Sequence, residues 1–202
     1  MTGEVKVILI GGTSHVGKST LAEALASRLG WQQMSTDSLS RHPGRPWHSE
    51  NQVPPDVQGH YLSHTAEELV DEVLQHYRDN VWPMAKALIQ TRISNPYDAC
   101  LVLEGSAIWP DSVVDAGFGR TVSVWLTASE DTITGRIRNS SDYLQQPARS
   151  RLMIDRFLGR SLLYDERMTQ AVNRLEQRCI DISESGTANQ LLDELEGELQ
   201  CP

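Results

Sequence analysis

Residues 11–20 read GGTSHVGKST, and the eight residues from Gly12 to Ser19 fit the pattern G-x-x-x-x-G-K-[S/T]. A short apolar run, VKVILI at 5–10, precedes them, and the helical pattern KSTLAEALASRL follows at 18–29. Between a strand and a helix, this pattern turns backbone N–H groups inward around phosphate oxygens, and the N-terminus of the helix adds the positive end of its dipole. The stretch therefore predicts a nucleoside triphosphate site at the first strand–helix junction.

Individual residues of this loop have separate expected roles. Lys18 is expected to bridge the β- and γ-phosphates, and the hydroxyl of Ser19 is expected to ligate Mg²⁺. His15 stands where many such loops carry a small residue, so its side chain either touches a phosphate or faces solvent. The residues expected to bind ATP here are Gly12, Thr13, Ser14, His15, Val16, Gly17, Lys18, Ser19 and Thr20.

The composition limits the class of protein. The chain has 202 residues, 39% of them hydrophobic and 22% charged, which suffices for one sizeable core. Its net charge of −9 argues against a nucleic-acid partner. Three widely spaced cysteines without a CxxC pair predict a reduced, cytoplasmic protein, and the short apolar run near the N-terminus predicts no membrane partner.

Apolar runs and helical patterns alternate along the chain. Further strands are expected at 32–36, 100–103, 121–126 and 179–182, and helices at 65–93, from Ser129 onward and at 189–199. Residues 41–60 hold four prolines and two glycines and are expected to be loop. The alternation predicts an α/β fold, with a parallel sheet covered by helices on both faces, in a single domain spanning 1–202.

The longest helical pattern, at 65–93, has its own start and break. Thr65 followed by Glu68 forms a capping box, which predicts the first turn. Pro83 is expected to kink this helix or to divide it in two.

The chain lacks the motifs of other nucleotide-binding classes. It has no N/T-K-x-D base-reading motif, which argues against a signalling GTPase, and no LSGGQ-like signature, which argues against a transporter ATPase. DVQG at 56–59 has the letters of D-x-x-G but follows prolines instead of an apolar strand. Of the nucleotide-binding classes considered, a small phosphotransferase is the one that the motifs still allow.

Three stretches resemble the P-loop kinases of small metabolites: GGTSHVGKST at 11–20, STDSLSR at 35–41 and LVLEGSAIWP at 101–110. Their order and spacing are most similar to the 2-phosphoglycerate kinase-like group, which is related to polynucleotide 5′-kinases and nucleoside-monophosphate kinases. The resemblance implies a three-layer αβα P-loop fold with a five-stranded parallel sheet in the order 2-3-1-4-5. It also implies an acceptor-binding segment at 38–95 and a mobile helical lid at 136–167.

Two acidic residues end predicted strands. The resemblance implies that Asp37 faces the γ-phosphate and orients the acceptor hydroxyl, although Asp37 or Ser35 could instead cap a short helix. Glu104 ends the third strand beside the same cleft. It either holds Mg²⁺ through water, contacts the acceptor or acts as the base, so both acidic residues are candidate catalytic and substrate-binding residues.

Two groups of arginines are candidate site residues, one after Asp37 and one in the predicted lid. Arg41 and Arg45 lie four and eight residues after Asp37, and guanidinium groups there are candidate ligands for an anionic acceptor, with an exposed ion-pairing loop as the alternative. The resemblance implies that lid arginines neutralise the transferring phosphoryl group, and that one often lies over the adenine. Arg160 is the candidate for catalysis and Arg136 for nucleotide binding, with a solvated basic helix face as the alternative.

His60 and His64 are separated by four residues, which is a possible spacing for metal ligands. Because the sequence shows no cysteine pair or dense carboxylate partner at ligand spacing, it argues against zinc at this place.

Together these features predict a kinase that uses ATP and Mg²⁺ to phosphorylate a hydroxyl of a small, anionic metabolite. Two alternatives stay open. One is a 5′-hydroxyl polynucleotide kinase, which the net charge of −9 disfavours. The other is a regulatory ATP-binding module that transfers nothing.

Overall fold

The structure is a computed structural model, and it describes residues 4–40, 44–47, 53–183 and 187–200. Its single sheet has five strands, all parallel, in the order β2-β3-β1-β4-β5. The strands are β1 Val7–Gly12, β2 Gln32–Ser35, β3 Leu101–Glu104, β4 Thr121–Thr127 and β5 Cys179–Asp181. The predicted sheet and its strand order are confirmed.

Helices connect the strands and cover both faces of the sheet. They are α1 Lys18–Leu29, α2 Pro55–Ser63, α3 Ala66–His76, α4 Trp82–Ser94, α5 Pro110–Ala116, α6 Glu130–Ser140, α7 Ala148–Arg174 and α8 Thr187–Gln200. No helix in the described ranges is long and apolar enough to cross a membrane.

The central strand β1 explains why one short apolar run supports two cores. Ile8 and Ile10 join one buried cluster, with Leu25 of α1, and Val7 and Leu9 join the other, with α4. Successive strand residues point to opposite faces, so a continuous apolar run suits a strand buried on both sides. The phosphate loop follows the carboxyl end of this buried strand and therefore lies at that edge of the sheet.

Two expectations about the helices need correction. Residues 55–60 are not loop, because α2 begins at Pro55, where proline fits the first helical turn and its missing N–H costs nothing. Val57 and Tyr61 of this helix are buried, and this packing stabilises it. The prolines before and at its start had suggested a loop. The short helix α5 was also not predicted from the sequence.

The long helical pattern contains one irregular turn. The Thr65–Glu68 capping box opens α3, and a turn of π-helix over Tyr77–Val81 separates α3 from α4. Pro83 was expected to kink this helix or to divide it in two; it lies in the first turn of α4, directly after the π-helical turn, and the backbone remains helical from α3 into α4.

The segment 136–167, assigned above to a lid, holds three elements. These are the end of α6, a 3₁₀ turn over Tyr143–Gln145 and most of the 27-residue helix α7. Helix α7 contacts α2, α3 and α6. Its movement as a lid stays a prediction.

Candidate active site

Hydrogen bonds from two hydroxyl groups connect the phosphate loop to two other elements of the protein. The Thr13 hydroxyl donates to the carbonyl oxygen of Ser161 in α7, at 2.8 Å. The Ser106 hydroxyl, just after β3, donates to the carbonyl oxygen of Gly12, at 2.9 Å. The loop between β1 and α1 is therefore held in place by two elements that are distant in sequence.

Lys18 begins α1 and is buried, with its Nζ donating to the carbonyl oxygen of Thr13 at 2.7 Å. Burial lowers the pKa of Lys18, and the negative charges of Glu104 and Asp37 oppose that shift. The two acidic residues predicted to share a site are thus both within electrostatic range of the phosphate-loop lysine.

Ser19 and Glu104 are in direct contact. The Ser19 hydroxyl donates to Oε1 of Glu104 at 3.2 Å, and Glu104 is only 4% exposed. A hydroxyl and a carboxylate are oxygen ligands of the kind that Mg²⁺ prefers. These two residues therefore fit a Mg²⁺ ion, and they would hold it beside the phosphate loop.

Asp37 lies in a 3₁₀ turn over Thr36–Ser38 that directly follows β2. The Ser35 hydroxyl accepts a hydrogen bond from the Asp37 N–H at 3.3 Å, so Ser35 caps this turn. The Asp37 side chain is exposed, and its charge acts on Lys18 and Tyr77. Of the two alternatives for the cap, Ser35 fills it, so the Asp37 carboxylate is not used for capping.

The ends of β2 and β3 interlock beneath these carboxylates. Gly105 has φ 150°, and a Cβ atom there would lie 1.8 Å from Oγ1 of Thr36. Thr36 is 1% exposed, and its Oγ1 has no hydrogen-bond partner within the described parts of the chain. Only glycine at 105 lets the two strand ends meet, and this contact brings Asp37 and Glu104 to one edge of the sheet.

Arg160, in α7, is buried near the phosphate loop. It is 8% exposed, its Nη1 donates to the Tyr61 hydroxyl at 3.1 Å, and its guanidinium lies 4.5 Å from the centre of the Phe157 ring. Arg160 lines a small cleft together with Thr13 and Ser14 of the phosphate loop. The structure therefore brings this predicted catalytic residue next to the loop.

Arg136 contacts the phosphate loop from the outside. Its Nη1 donates to the carbonyl oxygens of His15, at 3.2 Å, and Val16, at 3.0 Å. It lies in α6, so this predicted nucleotide-binding residue is beside the loop. The remaining predicted arginines lie before α2: Arg41 is outside the described residues, and Arg45 is exposed, with a positive charge that acts on His15 and Lys18.

His15 adopts an arrangement that the sequence did not suggest. Its side chain is partly buried against Trp47 and Phe157, with ring centres 5.8 and 6.0 Å away, and its Nε2 lies 3.0 Å from Oγ of Ser140. Burial, with three nearby positive charges, lowers the pKa of His15 to about 4. The imidazole is therefore neutral at physiological pH and packs between Trp47 and Phe157.

Asp165 is a residue of this region that the sequence analysis missed as a site residue. It is buried in α7, where its Oδ2 accepts a hydrogen bond from the Thr127 hydroxyl at 2.5 Å. Its Oδ1 has no partner among the described residues, and burial raises its pKa to about 6. Its place on the buried stripe of α7, four residues after Ser161, was the available signal.

A larger cavity adjoins the cleft. It measures about 350 Å³ and is lined by apolar and aromatic side chains with a few charged groups, among them Leu74, Tyr77, Arg78, Trp82, Trp109 and Asp111. Tyr77 borders both this cavity and the cleft beside the phosphate loop. Burial raises the pKa of Tyr77 to about 12, so its hydroxyl stays protonated.

The sheet order and the phosphate loop after β1 define the class of fold. No protein-family model matches the chain, and no curated protein matches it. Among solved structures it is similar to a shikimate kinase from Aquifex aeolicus, with 11% identity, a TM-score of 0.52 and 96% of both chains covered. A sugar kinase from Janibacter sp. HTCC2649 is 13% identical, with a TM-score of 0.53 over 96% of this chain and 93% of that one.

An uncharacterized protein from Eubacterium ventriosum is 13% identical, with a TM-score of 0.54 and 98% of both chains covered. At such identities the likeness concerns the fold. The chain has the fold of the P-loop kinases of small molecules, as the resemblance of its motifs implied.

Proposed function

We propose that this protein is a kinase that uses ATP and Mg²⁺ to phosphorylate a hydroxyl of a small, anionic metabolite. The observation that carries the proposal is the contact between Ser19 and Glu104 beside Lys18, with Asp37 within electrostatic range. Two proteins of the same fold are named as a shikimate kinase and a sugar kinase, which supports a small hydroxylated acceptor.

Each residue has a distinct role in this reaction. Lys18 and the loop bind the β- and γ-phosphates, and Ser19 with Glu104 would hold Mg²⁺, which when bound neutralises phosphate charge. Because Glu104 is buried against Ser19, we assign the acceptor hydroxyl to the exposed Asp37. The acceptor oxygen bonds to the γ-phosphorus, the bond from that phosphorus to the bridging oxygen breaks, ADP leaves, and Asp37 accepts the hydroxyl proton.

Arg160 supports an anionic acceptor. It is 8% exposed, and its described neighbours are a neutral phenol and a phenyl ring, with no carboxylate among the described ion-pair partners. A buried guanidinium without a counter-charge is costly, so an anionic ligand in the cleft would stabilise it. The adjoining cavity of about 350 Å³ is in the size range of sites for small ligands.

The test is the release of ADP from Mg²⁺-ATP with a panel of acceptors: phosphoglycerates, sugar acids, nucleosides and an oligonucleotide with a 5′-hydroxyl. Lys18→Ala serves as the inactive reference. Stimulation by one small anionic acceptor, with phosphate found on its hydroxyl by mass spectrometry, supports the proposal. Stimulation only by the oligonucleotide indicates a polynucleotide kinase, and tight ATP binding without stimulation by any acceptor indicates a regulatory module.

A further inference from the structure

The corner between α2 and α3 brings together two histidines and a glutamate. His60 lies in α2, His64 directly follows that helix, and Glu72 lies in α3. One ligand atom from each residue lies within 4.8 Å of the other two. Within the described ranges of the chain, no other set of three or more metal-binding side chains is this compact.

The ring of His64 has a defined orientation. Its Nδ1 lies 2.8 Å from the carbonyl oxygen of His60, and a carbonyl oxygen can only accept a hydrogen bond. Nδ1 therefore carries the hydrogen, and in the neutral ring Nε2 carries the lone pair. A backbone carbonyl behind one ring nitrogen is the support that metal-binding histidines commonly have, with the other nitrogen facing the metal.

Both rings approach the same carboxylate. Nε2 of His64 lies 3.1 Å from Oε1 of Glu72, and Nδ1 of His60 lies 3.4 Å from Oε2. A lone pair does not face a carboxylate oxygen at such a distance unless a proton or a cation lies between them. Zinc bonded at about 2.0–2.2 Å in a tetrahedron places neighbouring ligand atoms about 3.3 Å apart. Both separations agree with this value.

A single divalent ion would contact all three side chains. The ring centres of His60 and His64 are 5.3 Å apart, and one ligand atom from each of the three residues lies within 4.8 Å of the other two. We propose that His60, His64 and Glu72 bind one zinc ion. Two imidazole nitrogens and a carboxylate oxygen suit zinc among divalent ions, and three protein ligands leave a fourth position for water.

At this position the zinc ion would connect two helices. The ion would join α2 to α3 at their corner, and the residue after His60 is Tyr61, whose hydroxyl accepts from Arg160 and donates to the carbonyl oxygen of Gly44. Zinc would therefore fix the helix that holds Arg160 in the cleft. Glu72 is 47% exposed at the side chain, so the ion can enter from solvent.

The test is binding of Zn²⁺ to the chelator-treated full-length protein, measured by calorimetry and by the rise in melting temperature, with Co²⁺ as a spectroscopic probe. We expect one ion per chain with a dissociation constant below about 10 µM. We expect at least about tenfold weaker binding in Glu72→Gln and His64→Gln. Glu67→Gln and His76→Gln, on the same helix but outside the group, serve as controls and should bind as the wild type does.

Two results would overturn the zinc site. The first is unchanged affinity in Glu72→Gln and His64→Gln, or a Co²⁺ spectrum with a thiolate band, because either places the ion elsewhere. The second is the absence of binding at about 100 µM Zn²⁺, which would leave the group as ion pairs. Neither readout depends on kinase activity, so the test is independent of the proposed function.

Discussion

The hydroxyl of Ser19 lies 3.2 Å from Oε1 of Glu104, and this contact joins the first turn of α1 to the end of β3, 85 residues further along the chain. From the sequence alone, Ser19 was expected to ligate Mg²⁺, whereas three roles stayed open for Glu104 at the end of its strand. Their contact beside a buried lysine creates a pair of oxygen ligands at the place where the phosphates of a nucleotide would lie.

This contact predicts the effect of Glu104→Gln on nucleotide binding. The amide oxygen still accepts from Ser19, but the negative charge that attracts Mg²⁺ is gone. We expect ATP affinity in the absence of Mg²⁺ not to fall, since the lost charge repels phosphate, and the gain in affinity on adding Mg²⁺ to fall by at least about tenfold. Calorimetry with and without Mg²⁺ measures both, and Glu23→Gln, exposed on α1, is the control. An undiminished Mg²⁺ effect would contradict the metal role of Glu104.

Gly105→Ala is expected to lower the free energy of unfolding by about 3 kcal/mol or more. The new methyl group would collide with Oγ1 of Thr36, at 1.8 Å, and would do so at φ 150°. Gly117→Ala is the matched control, because Gly117 has φ 58° with no atom within 4 Å of the added methyl, so only about 1 kcal/mol is expected. Equal losses in urea unfolding would contradict the interlocking of β2 and β3.

Asp165→Asn is expected to stabilise the protein at neutral pH. Burial raises the pKa of Asp165 from 3.8 to about 6. Between these two pH values the folded state retains a proton that the unfolded state has already lost. This group therefore reduces stability as the pH rises from about 4 to about 6, and the reduction persists above that range. We expect a gain of about 2 kcal/mol at pH 7.5 that vanishes near pH 4.

Urea unfolding at several pH values measures this gain, with the exposed Asp131→Asn as the control. A variant that is less stable than the wild type at pH 7.5 would show that the Asp165 carboxylate is charged and favourably paired in the folded protein.

Tyr61→Phe is expected to weaken acceptor binding without weakening ATP binding. The hydroxyl of Tyr61 accepts from Arg160 at 3.1 Å, so its loss frees the guanidinium to move. Loss of one hydrogen bond, about 1 kcal/mol, corresponds to about a fivefold rise in the KM of the acceptor. Steady-state kinetics give both KM values, and Tyr97→Phe, on a side chain that is 95% exposed, is the control. A rise in the KM of ATP alone would contradict the role given to Arg160.

The sequence predicted the phosphate loop because the loop depends on contiguous residues, whereas the strand order was implied by the resemblance of three motifs to P-loop kinases. The apolar run of β1, the glycines of the loop and the start of α1 follow one another within 5–29, so their pattern is readable without tertiary information. The sequence also predicted site roles for Lys18 and Glu104, since each directly adjoins a predicted strand or loop.

Features that depend on packing between distant segments were not predicted. Helix α2 was not predicted because prolines indicated a loop, although Pro55 stands where a helix tolerates proline. The carboxylate partner of His64 is Glu72, on the next helix, so the two face each other only after the corner between α2 and α3 has formed. Asp165 carries no motif, and only its burial within α7 distinguishes it from a surface aspartate.

The most direct test of the proposed reaction is a comparison of Asp37→Asn with the wild type, using the acceptor that the panel identifies. We expect acceptor-stimulated ADP release to fall by about a hundredfold or more, while ATP affinity measured by calorimetry stays within about twofold, since Asp37 is assigned to the acceptor. Asp131→Asn, exposed on α6, is the matched control. Wild-type turnover in Asp37→Asn would contradict the assignment of the acceptor hydroxyl to Asp37.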